Sequence, residues 1–378
     1  MTILYLGSLG YVAQNELTVL KNIRRDVIVL NAYYDEIKVA WDDLKCENII
    51  NLYEPALLKA LYKSIGHRFT AILLNLLNYR LDLIKRIIRE YNIELIYANW
   101  GSNMIPLIKM LQNNLINIPI MYNFMTYPQN VYSWKVFLEN WYCRKPIERL
   151  DGRIHASQNM YRYMSKRFDL KKHGLDMIVT PFFSEKYHYR KRLPLLSEKD
   201  GEPHLVYIGP LTSSRNWDDI RQEIYEIANE GIHIHLAETN VPLRKSPYIH
   251  FFPYFPLPQL INGSLATYMT QFDACIVLFN FKVCSCLDRF YTSFPSRFLF
   301  ALNAGIPIVM PKGYLLTCEQ FVNEHQIGFA YKNLTELKDK LNNFELMQEY
   351  RKNAIRKTVD FTYEKEFHKL EKLIKVLT

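Results

Sequence analysis

The chain has 378 residues, of which 49% are hydrophobic and 22% are charged. This length and composition exclude a disordered chain or a short disulfide-stapled domain, and they suit two globular domains. The net charge of +9 favours an anionic ligand or an anionic membrane surface. Nucleic acid is a poorer fit, because no recognition motif accompanies the charge.

Two features bear on the cell compartment. The six cysteines show no spacing typical of a disulfide framework or a zinc site, so we expect reduced thiols. A predicted strand follows Met1 directly, and the longest apolar run, at about 71–77, is too short to span a bilayer. The sequence therefore predicts a cytoplasmic protein without a signal peptide.

In the first half of the chain, short apolar runs alternate with helical patterns. Strands are predicted at 3–6, 27–30, 95–98, 118–122, 153–156 and 178–180. Ser157 is a predicted helix N-cap. This alternation indicates a mainly parallel, doubly wound sheet, and we place the first Rossmann-like domain at 1–185.

Residues 186–203 are polar and basic without periodicity, which predicts an interdomain linker. Further strands are predicted at 205–208, 233–236, 249–252, 274–278 and 306–310. They define a second Rossmann-like domain at 204–350, followed by helices at 351–378 that can pack back on the first domain. The predicted fold class is α/β, with two Rossmann-like doubly wound domains facing a cleft.

The stretch from Ser293 to Pro311 predicts a loop, a helix from about Arg297 to Ala304 with Gly305 as its C-terminal cap, and a strand after Gly305. The N-terminus of this helix and the charge of Arg297 are typical of a phosphate seat. An ordinary loop–helix–strand unit of an α/β sheet explains the same pattern, so both interpretations stay open.

Ligands of open α/β sheets bind outside the carboxyl ends of the strands. In the second half, the candidate diphosphate ligands at these ends are Gly209, Ser214, Arg215, Ser293, Ser296 and Arg297. The candidates for the nucleobase and ribose are Glu238, Pro253, Tyr254 and Phe255. In the first half, the candidates at the corresponding strand ends, for a second ligand, are Gly7, Gly10, Trp100, Gly101, Ser102 and Asn123.

The order of four stretches (207–215, 249–255, 272–278 and 295–310) resembles the donor-binding half of a GT-B glycosyltransferase. The resemblance is to the glycosyltransferase family 4-like, or group 1, type. It implies that Arg215 holds the diphosphate and that residues 253–255 contact the base. It also implies that the helix at Ser296 and Arg297 offers its N-terminus to the phosphates.

The resemblance further implies a nucleotide-diphosphate sugar as donor and a glycan or lipid-linked acceptor, in surface polysaccharide or glycoconjugate synthesis. No metal and no cofactor are expected. Many group members carry two glutamates, which are Thr292 and Phe300 here, so contacts to the ribose hydroxyls must come from elsewhere or be missing. The resemblance also implies that the candidates of the first half face the acceptor or the donor sugar. A nucleotide-sugar epimerase on the same fold and a catalytically degenerate binding subunit remain alternatives.

A catalytic base is harder to assign. His155 and Asp151 are candidates, although a structural histidine is the favoured interpretation of His155 and a turn residue explains Asp151 equally well. Basic stripes at 59–89 and 162–192 suggest peripheral contact with the anionic inner face of a membrane, or an ordinary solvated helix face.

Overall fold

The computed structural model describes residues 2–7, 16–17, 20, 26–31, 49–52, 60–61, 64, 70–99, 104–114, 117–213 and 216–378. The chain divides into two compact units. The first comprises Met1–Pro181 and Glu366–Thr378, and the second comprises Phe182–Lys365.

The first unit is built on a seven-stranded sheet in the order β3-β2-β1-β4-β5-β6-β7. Its strands are β1 (Thr2–Gly7), β2 (Asp26–Asn31), β3 (Ile49–Asn51), β4 (Ile93–Asn99), β5 (Ile120–Phe124), β6 (Gly152–His155) and β7 (Leu175–Ile178). All neighbouring strands run parallel. The central strands are apolar runs buried along their length, as expected for a sheet covered by helices on both faces.

The helices of the first unit follow its strands in sequence. Within the residues that the structure describes, they include α1 (Leu81–Glu90), α2 (Ile105–Asn114), α3 (Ser133–Glu148) and α4 (Gln158–Ser165). The predicted N-cap is confirmed, because the Ser157 hydroxyl accepts a hydrogen bond from the Met160 N–H at 3.0 Å.

The second unit is built on a six-stranded parallel sheet in the order β10-β9-β8-β11-β12-β13. Its strands are β8 (His204–Tyr207), β9 (His233–Ala237), β10 (Ile249–Phe252), β11 (Ala274–Ile276), β12 (Ile308–Pro311) and β13 (Gly328–Tyr331). The helices are α5 (Ser197–Asp200), α6 (Arg221–Asn229), α7 (Leu257–Ile261), α8 (Ser264–Met269), α9 (Asp288–Thr292), α10 (Ser296–Ala304), α11 (Leu316–His325), α12 (Leu334–Asn342), α13 (Phe344–Thr358) and α14 (Tyr363–Leu377).

The predicted loop–helix–strand unit is confirmed around α10. Gly305 ends this helix in the left-handed conformation, with φ of 55°, where glycine avoids the penalty that other residues meet. Two edge strands, β3 and β13, were missed by the sequence analysis. Both are short, with three and four residues, which leaves little periodic pattern to detect.

Residues 186–203, predicted as a linker, pack onto the second unit. The Leu193 N–H donates to the Thr270 hydroxyl at 2.9 Å, and the Ser197 hydroxyl donates to Asp273 at 2.7 Å.

The helix α14 begins in the second unit, and its residues from Glu366 onward belong to the first. In the first unit, the Glu366 carboxylate accepts a hydrogen bond from the Thr180 N–H at 2.9 Å. Among the described residues, no helix is both long and apolar enough to cross a membrane.

Candidate functional site

Each sheet has one point at which the strand order reverses. In the first unit this point lies between β1 and β4, and in the second it lies between β8 and β11. Chain connections leave the two strands in opposite directions there, which opens a crevice at their carboxyl ends. A buried polar cluster occupies this position in each unit.

In the second unit, the guanidinium of Arg297 forms the centre of this cluster. Its side chain is only 6% exposed. One nitrogen, Nη1, donates to the Tyr207 hydroxyl at 2.6 Å and also to the Leu278 carbonyl. The other, Nη2, lies 3.2 Å from the Asp218 carboxylate. Because Tyr207 ends β8 and Leu278 follows β11, Arg297 ties the two strands together at the reversal point.

Gly209 lies directly against this cluster. A Cβ at this position would approach both Arg297 Cζ and the Tyr207 hydroxyl to 2.9 Å, closer than real Cβ atoms come. The Tyr207 hydroxyl in turn donates to the Pro210 carbonyl at 3.2 Å. Burial raises the pKa of Tyr207 to about 12, which keeps its hydroxyl proton available for this bond. The glycine turn is therefore shaped by Tyr207 and Arg297.

The predicted phosphate seat lies on the same edge of the sheet. The helix α10 begins at Ser296, after Pro295 in extended backbone, so its first N–H groups have no intrahelical partner. Ser296 is half-buried, whereas Ser293 is buried with its hydroxyl 3.4 Å from that of Thr292. The structure thus offers the helix N-terminus and Ser296 to a ligand, while Arg297 keeps its guanidinium on internal partners.

The predicted nucleobase and ribose residues follow the next two strands. Glu238 is exposed just after β9, and its N–H donates to the Phe252 carbonyl of β10 at 2.8 Å. Pro253 and Tyr254 are also exposed, with Tyr254 at 71%. Phe255 is half-buried and packs against Tyr268, with ring centroids 5.4 Å apart. An exposed ring and an exposed carboxylate therefore lie at adjacent strand ends.

The two positions where many group members carry glutamate are buried. Thr292 is 2% exposed, and Phe300 is 5% exposed with its ring 4.8 Å from that of Phe183. Phe300 is thus part of the core of the second unit. Six predicted site residues lie outside the described residues, namely Gly10, Trp100, Gly101, Ser102, Ser214 and Arg215.

In the first unit, the carboxylate of Glu16 forms the centre of the corresponding cluster. It accepts hydrogen bonds from the side-chain amides of Asn99 at the end of β4 and Asn123 on β5, and from the Tyr5 hydroxyl of β1 at 3.3 Å. Gly7 lies against the Asn99 side chain, where any Cβ would collide with it. Gly7 and Asn123, both predicted for the acceptor or donor-sugar side, are therefore brought to one place.

Glu16 was missed by the sequence analysis. It is 1% exposed, and burial raises its pKa to about 7, against the lowering effect of the hydrogen bonds from Asn99, Asn123, Tyr5 and Tyr97. The available signal was a lone acidic residue beside apolar Leu17. A perturbed carboxyl at a strand-reversal point marks a functional candidate.

The candidate base His155 is fully buried at the end of β6. Its Nε2 lies 2.7 Å from the Asp176 carboxylate, which also pairs with Arg153 at 2.9 Å. Burial lowers the pKa of His155, and its ring packs between Phe124 and Tyr161. These contacts describe a structural histidine held within the sheet.

The other candidate base, Asp151, precedes β6 and so lies at the amino ends of the strands. Its carboxylate accepts from the Ile120 N–H at 2.8 Å, which fixes the start of β5. Because ligands bind at the opposite edge, the structure does not support a catalytic role for Asp151.

Two parallel sheets, each with one reversal of strand order, are typical of the α/β architecture of GT-B glycosyltransferases. No protein-family model and no curated protein matches the sequence. Solved structures do match. Sucrose-phosphate synthase from Thermosynechococcus elongatus has a TM-score of 0.70 at 15% identity, covering 100% of this chain and 99% of its own.

Two further structures match over nearly their whole length. Anabaena Alr3699/HepE in complex with UDP has a TM-score of 0.67 at 13% identity, with 100% of both chains covered. WaaG, a glycosyltransferase involved in lipopolysaccharide biosynthesis, has a TM-score of 0.60 at 10% identity, covering 97% of this chain and 98% of its own. The chain therefore has the GT-B fold, which confirms the predicted α/β class and the predicted resemblance.

We expect Arg297→Met to destabilise the second unit by about 3–5 kcal/mol, because it leaves the Asp218 carboxylate and two further buried oxygens without their donor. Urea unfolding measures this loss. The matched control is Arg221→Met. It removes a 2.8 Å ion pair between Arg221 and Asp219, in which the Arg221 side chain is 31% exposed. A loss for Arg297→Met no larger than that of the control would contradict the role assigned to Arg297.

Glu16 should make stability depend on pH. Its pKa in the folded chain is about 7, above the ordinary value of 4.5, so the folded state holds the proton more tightly than the unfolded state. Its contribution to the free energy of unfolding is complete below about pH 4.5. Up to about 3 kcal/mol of this contribution is lost as the pH rises through 7.

Unfolding free energies measured at several pH values between 5 and 8 test this. Relative to the parent protein, Glu16→Gln should gain stability as the pH rises, since glutamine does not titrate. The exposed Glu94→Gln variant serves as control and should follow the parent protein. A constant difference between Glu16→Gln and the parent would show that Glu16 is not the titrating group.

Proposed function

We propose that this chain is a glycosyltransferase that moves a sugar from a nucleotide-diphosphate donor onto a glycan or lipid-linked acceptor. The observation that carries the proposal is the carboxyl edge of the second sheet. The Gly209 turn, the N-terminus of α10 and the exposed Tyr254 and Glu238 share this edge. The match to a structure in complex with UDP supports a nucleotide as the ligand.

In this proposal the diphosphate binds between the Gly209 turn and α10. The free N–H groups of Ser296 and Arg297 and the Ser296 hydroxyl donate to phosphate oxygens, and the helix dipole favours their charge. The same groups stabilise the charge that develops on the departing diphosphate. We assign Arg297 as the residue that positions this seat, and Arg215 as a further cation. Because the positive charge comes from the protein, we expect no metal ion to be needed for transfer.

The base and ribose are proposed to bind at the ends of β9 and β10. The exposed Tyr254 ring offers a flat surface for stacking, since an aromatic face attracts a nucleobase. The carboxylate of Glu238 can accept hydrogen bonds from the ribose hydroxyls, the contact that Phe300 cannot make. The acceptor is assigned to the first unit, at Gly7 and Asn123.

A catalytically degenerate binding subunit is the second candidate, favoured by the burial of Phe300 and Thr292. It would bind the nucleotide without transferring or hydrolysing the sugar. The test is to incubate the chain with the nucleotide sugar that binds best and to measure the released nucleotide with and without glycan acceptors. Release that requires an acceptor indicates an active transferase, and no release indicates the binding subunit. Release of the free sugar or nucleotide without any acceptor would instead favour an epimerase.

Ser296→Asp tests the phosphate seat. A negative charge at the first residue of α10 suits the helix dipole, so folding should be preserved while diphosphate binding falls at least about tenfold through repulsion. Binding is measured as the thermal stabilisation of the protein by UDP, GDP, ADP and CMP, and by the matching nucleosides.

The control is Ser264→Asp, the same change at the first residue of α8, which should leave nucleotide binding unchanged. Equal losses for nucleotides and nucleosides in Ser296→Asp would contradict the phosphate seat. The absence of stabilisation of the parent protein by any nucleotide would contradict the proposed donor class.

We further propose that the first unit contacts an anionic membrane through α3. Trp134, Phe137, Leu138 and Trp141 form one apolar stripe on this helix, with Trp134 62% and Trp141 70% exposed. Arg144 and Lys145 continue the exposed face. A helix with tryptophans and adjacent cations suits the headgroup region, where a lipid-linked acceptor would be presented. Of the predicted basic stripes, Arg86 and Arg89 on α1 are also exposed.

Replacing Trp134, Phe137 and Trp141 together by serine should reduce binding to vesicles of phosphatidylglycerol and phosphatidylcholine at least about tenfold, because the apolar area that enters the headgroup region is lost. Sedimentation with vesicles measures the effect. Phe344→Ser, at a residue 67% exposed in the second unit, is the control. Equal binding by the triple variant and the parent would contradict this assignment of α3.

A further inference from the structure

Four histidines share one face of the second sheet. His204 on β8 is in register with His233 on β9, and His235 on β9 is in register with His250 on β10. Residues in register on parallel strands point to the same side, as do residues two apart on one strand. The intervening residues Leu205 and Ile234 belong instead to the hydrophobic core. The face therefore carries imidazoles where apolar side chains would be expected.

These imidazoles are paired through their ring nitrogens. His204 Nδ1 lies 2.9 Å from His235 Nε2, and His233 Nδ1 lies 2.7 Å from His250 Nε2. The rings of His204 and His233 stack with centroids 4.4 Å apart. His204 Nε2 also lies 3.0 Å from the carboxylate of Asp200 at the end of α5. His235 thus fixes the ring of His204, and His250 fixes the ring of His233, in each case through the Nδ1 atom of the second ring.

We propose that Asp200, His204 and His233 bind a divalent transition-metal ion of the Zn²⁺ class. One ligand atom from each of the three residues lies within 4.8 Å of the other two. Two imidazoles and a carboxylate are a donor set that Zn²⁺ accepts, with water in the fourth position. The Asp200 side chain is 43% exposed, which gives the ion a path from solvent.

The pairing of the histidines suits this role. Metal-binding histidines usually hold their second ring nitrogen in a hydrogen bond that fixes the ring orientation. His235 and His250 supply this bond at Nδ1 of His204 and His233, which leaves Nε2 of these two rings for the ion. Ligand atoms around a tetrahedral ion lie roughly 3.3 Å apart, so binding would draw the three residues closer together.

The site lies away from the proposed nucleotide site. His204 and His233 begin their strands, whereas Gly209 and Glu238 follow the carboxyl ends, about 10 Å away along β8. An ion here would tie α5 to β8 and β9. We therefore assign it a structural role in the second unit, and the assignment does not depend on the proposed transferase activity.

The test uses the full chain without a histidine tag, stripped of metal with EDTA. Calorimetric titration with Zn²⁺ should show one ion per chain, and Zn²⁺ should raise the melting temperature. Co²⁺ should produce the visible absorption bands of a tetrahedral site. Asp200→Asn and His233→Ala should each weaken Zn²⁺ binding at least about tenfold, because each removes one of three protein ligands.

The control is His173→Ala, which removes an exposed histidine of the first unit and should leave binding unchanged. Asp200→Asn preserves the size of an exposed side chain, so it gives a result even if His233→Ala does not fold. Either the absence of saturable Zn²⁺ binding to the parent protein or unchanged affinity in Asp200→Asn would overturn the proposal.

Discussion

The architecture of the candidate nucleotide site depends on the buried guanidinium of Arg297. It joins the end of β8 to the end of β11 and is balanced by Asp218. A buried charge of this kind is tolerated only when its donors are satisfied, and here the Tyr207 hydroxyl, the Leu278 carbonyl and the carboxylate do so. The position of Gly209 follows, because only a residue without a Cβ fits above the guanidinium. The turn and the start of α10 are thereby held on one edge of the sheet.

The first unit fills the corresponding position with an acidic residue. Glu16 lies where the strand order reverses between β1 and β4, and its acceptors are satisfied by Asn99, Asn123 and Tyr5. Gly7 approaches this cluster as Gly209 approaches Arg297. A strand-reversal point leaves strand ends that no crossover connection covers, and both units fill the space with hydrogen-bonded polar groups. In each unit, the candidate site rests on a buried polar group.

The two edges of the second sheet carry different chemistry. Backbone N–H groups, a serine and an exposed aromatic residue occupy the carboxyl edge, which suits a nucleotide diphosphate. Paired histidines and Asp200 lie near the amino edge, which suits a transition-metal ion. Parallel strands produce this separation, because every loop that follows a strand lies on one edge and every loop that precedes a strand lies on the other.

The sequence by itself determined the alternation of strands and helices, the Ser157 and Gly305 caps and the resemblance to GT-B glycosyltransferases. These are local signals, carried by periodicity and by residues that favour one backbone conformation. Only the tertiary structure decided that Arg297 is internal, that Asp151 lies on the wrong edge and that Glu16 is central. It alone brought His204 and His233 together, although they are far apart in the chain. Burial and strand register arise from contacts between distant residues, and local sequence does not encode them.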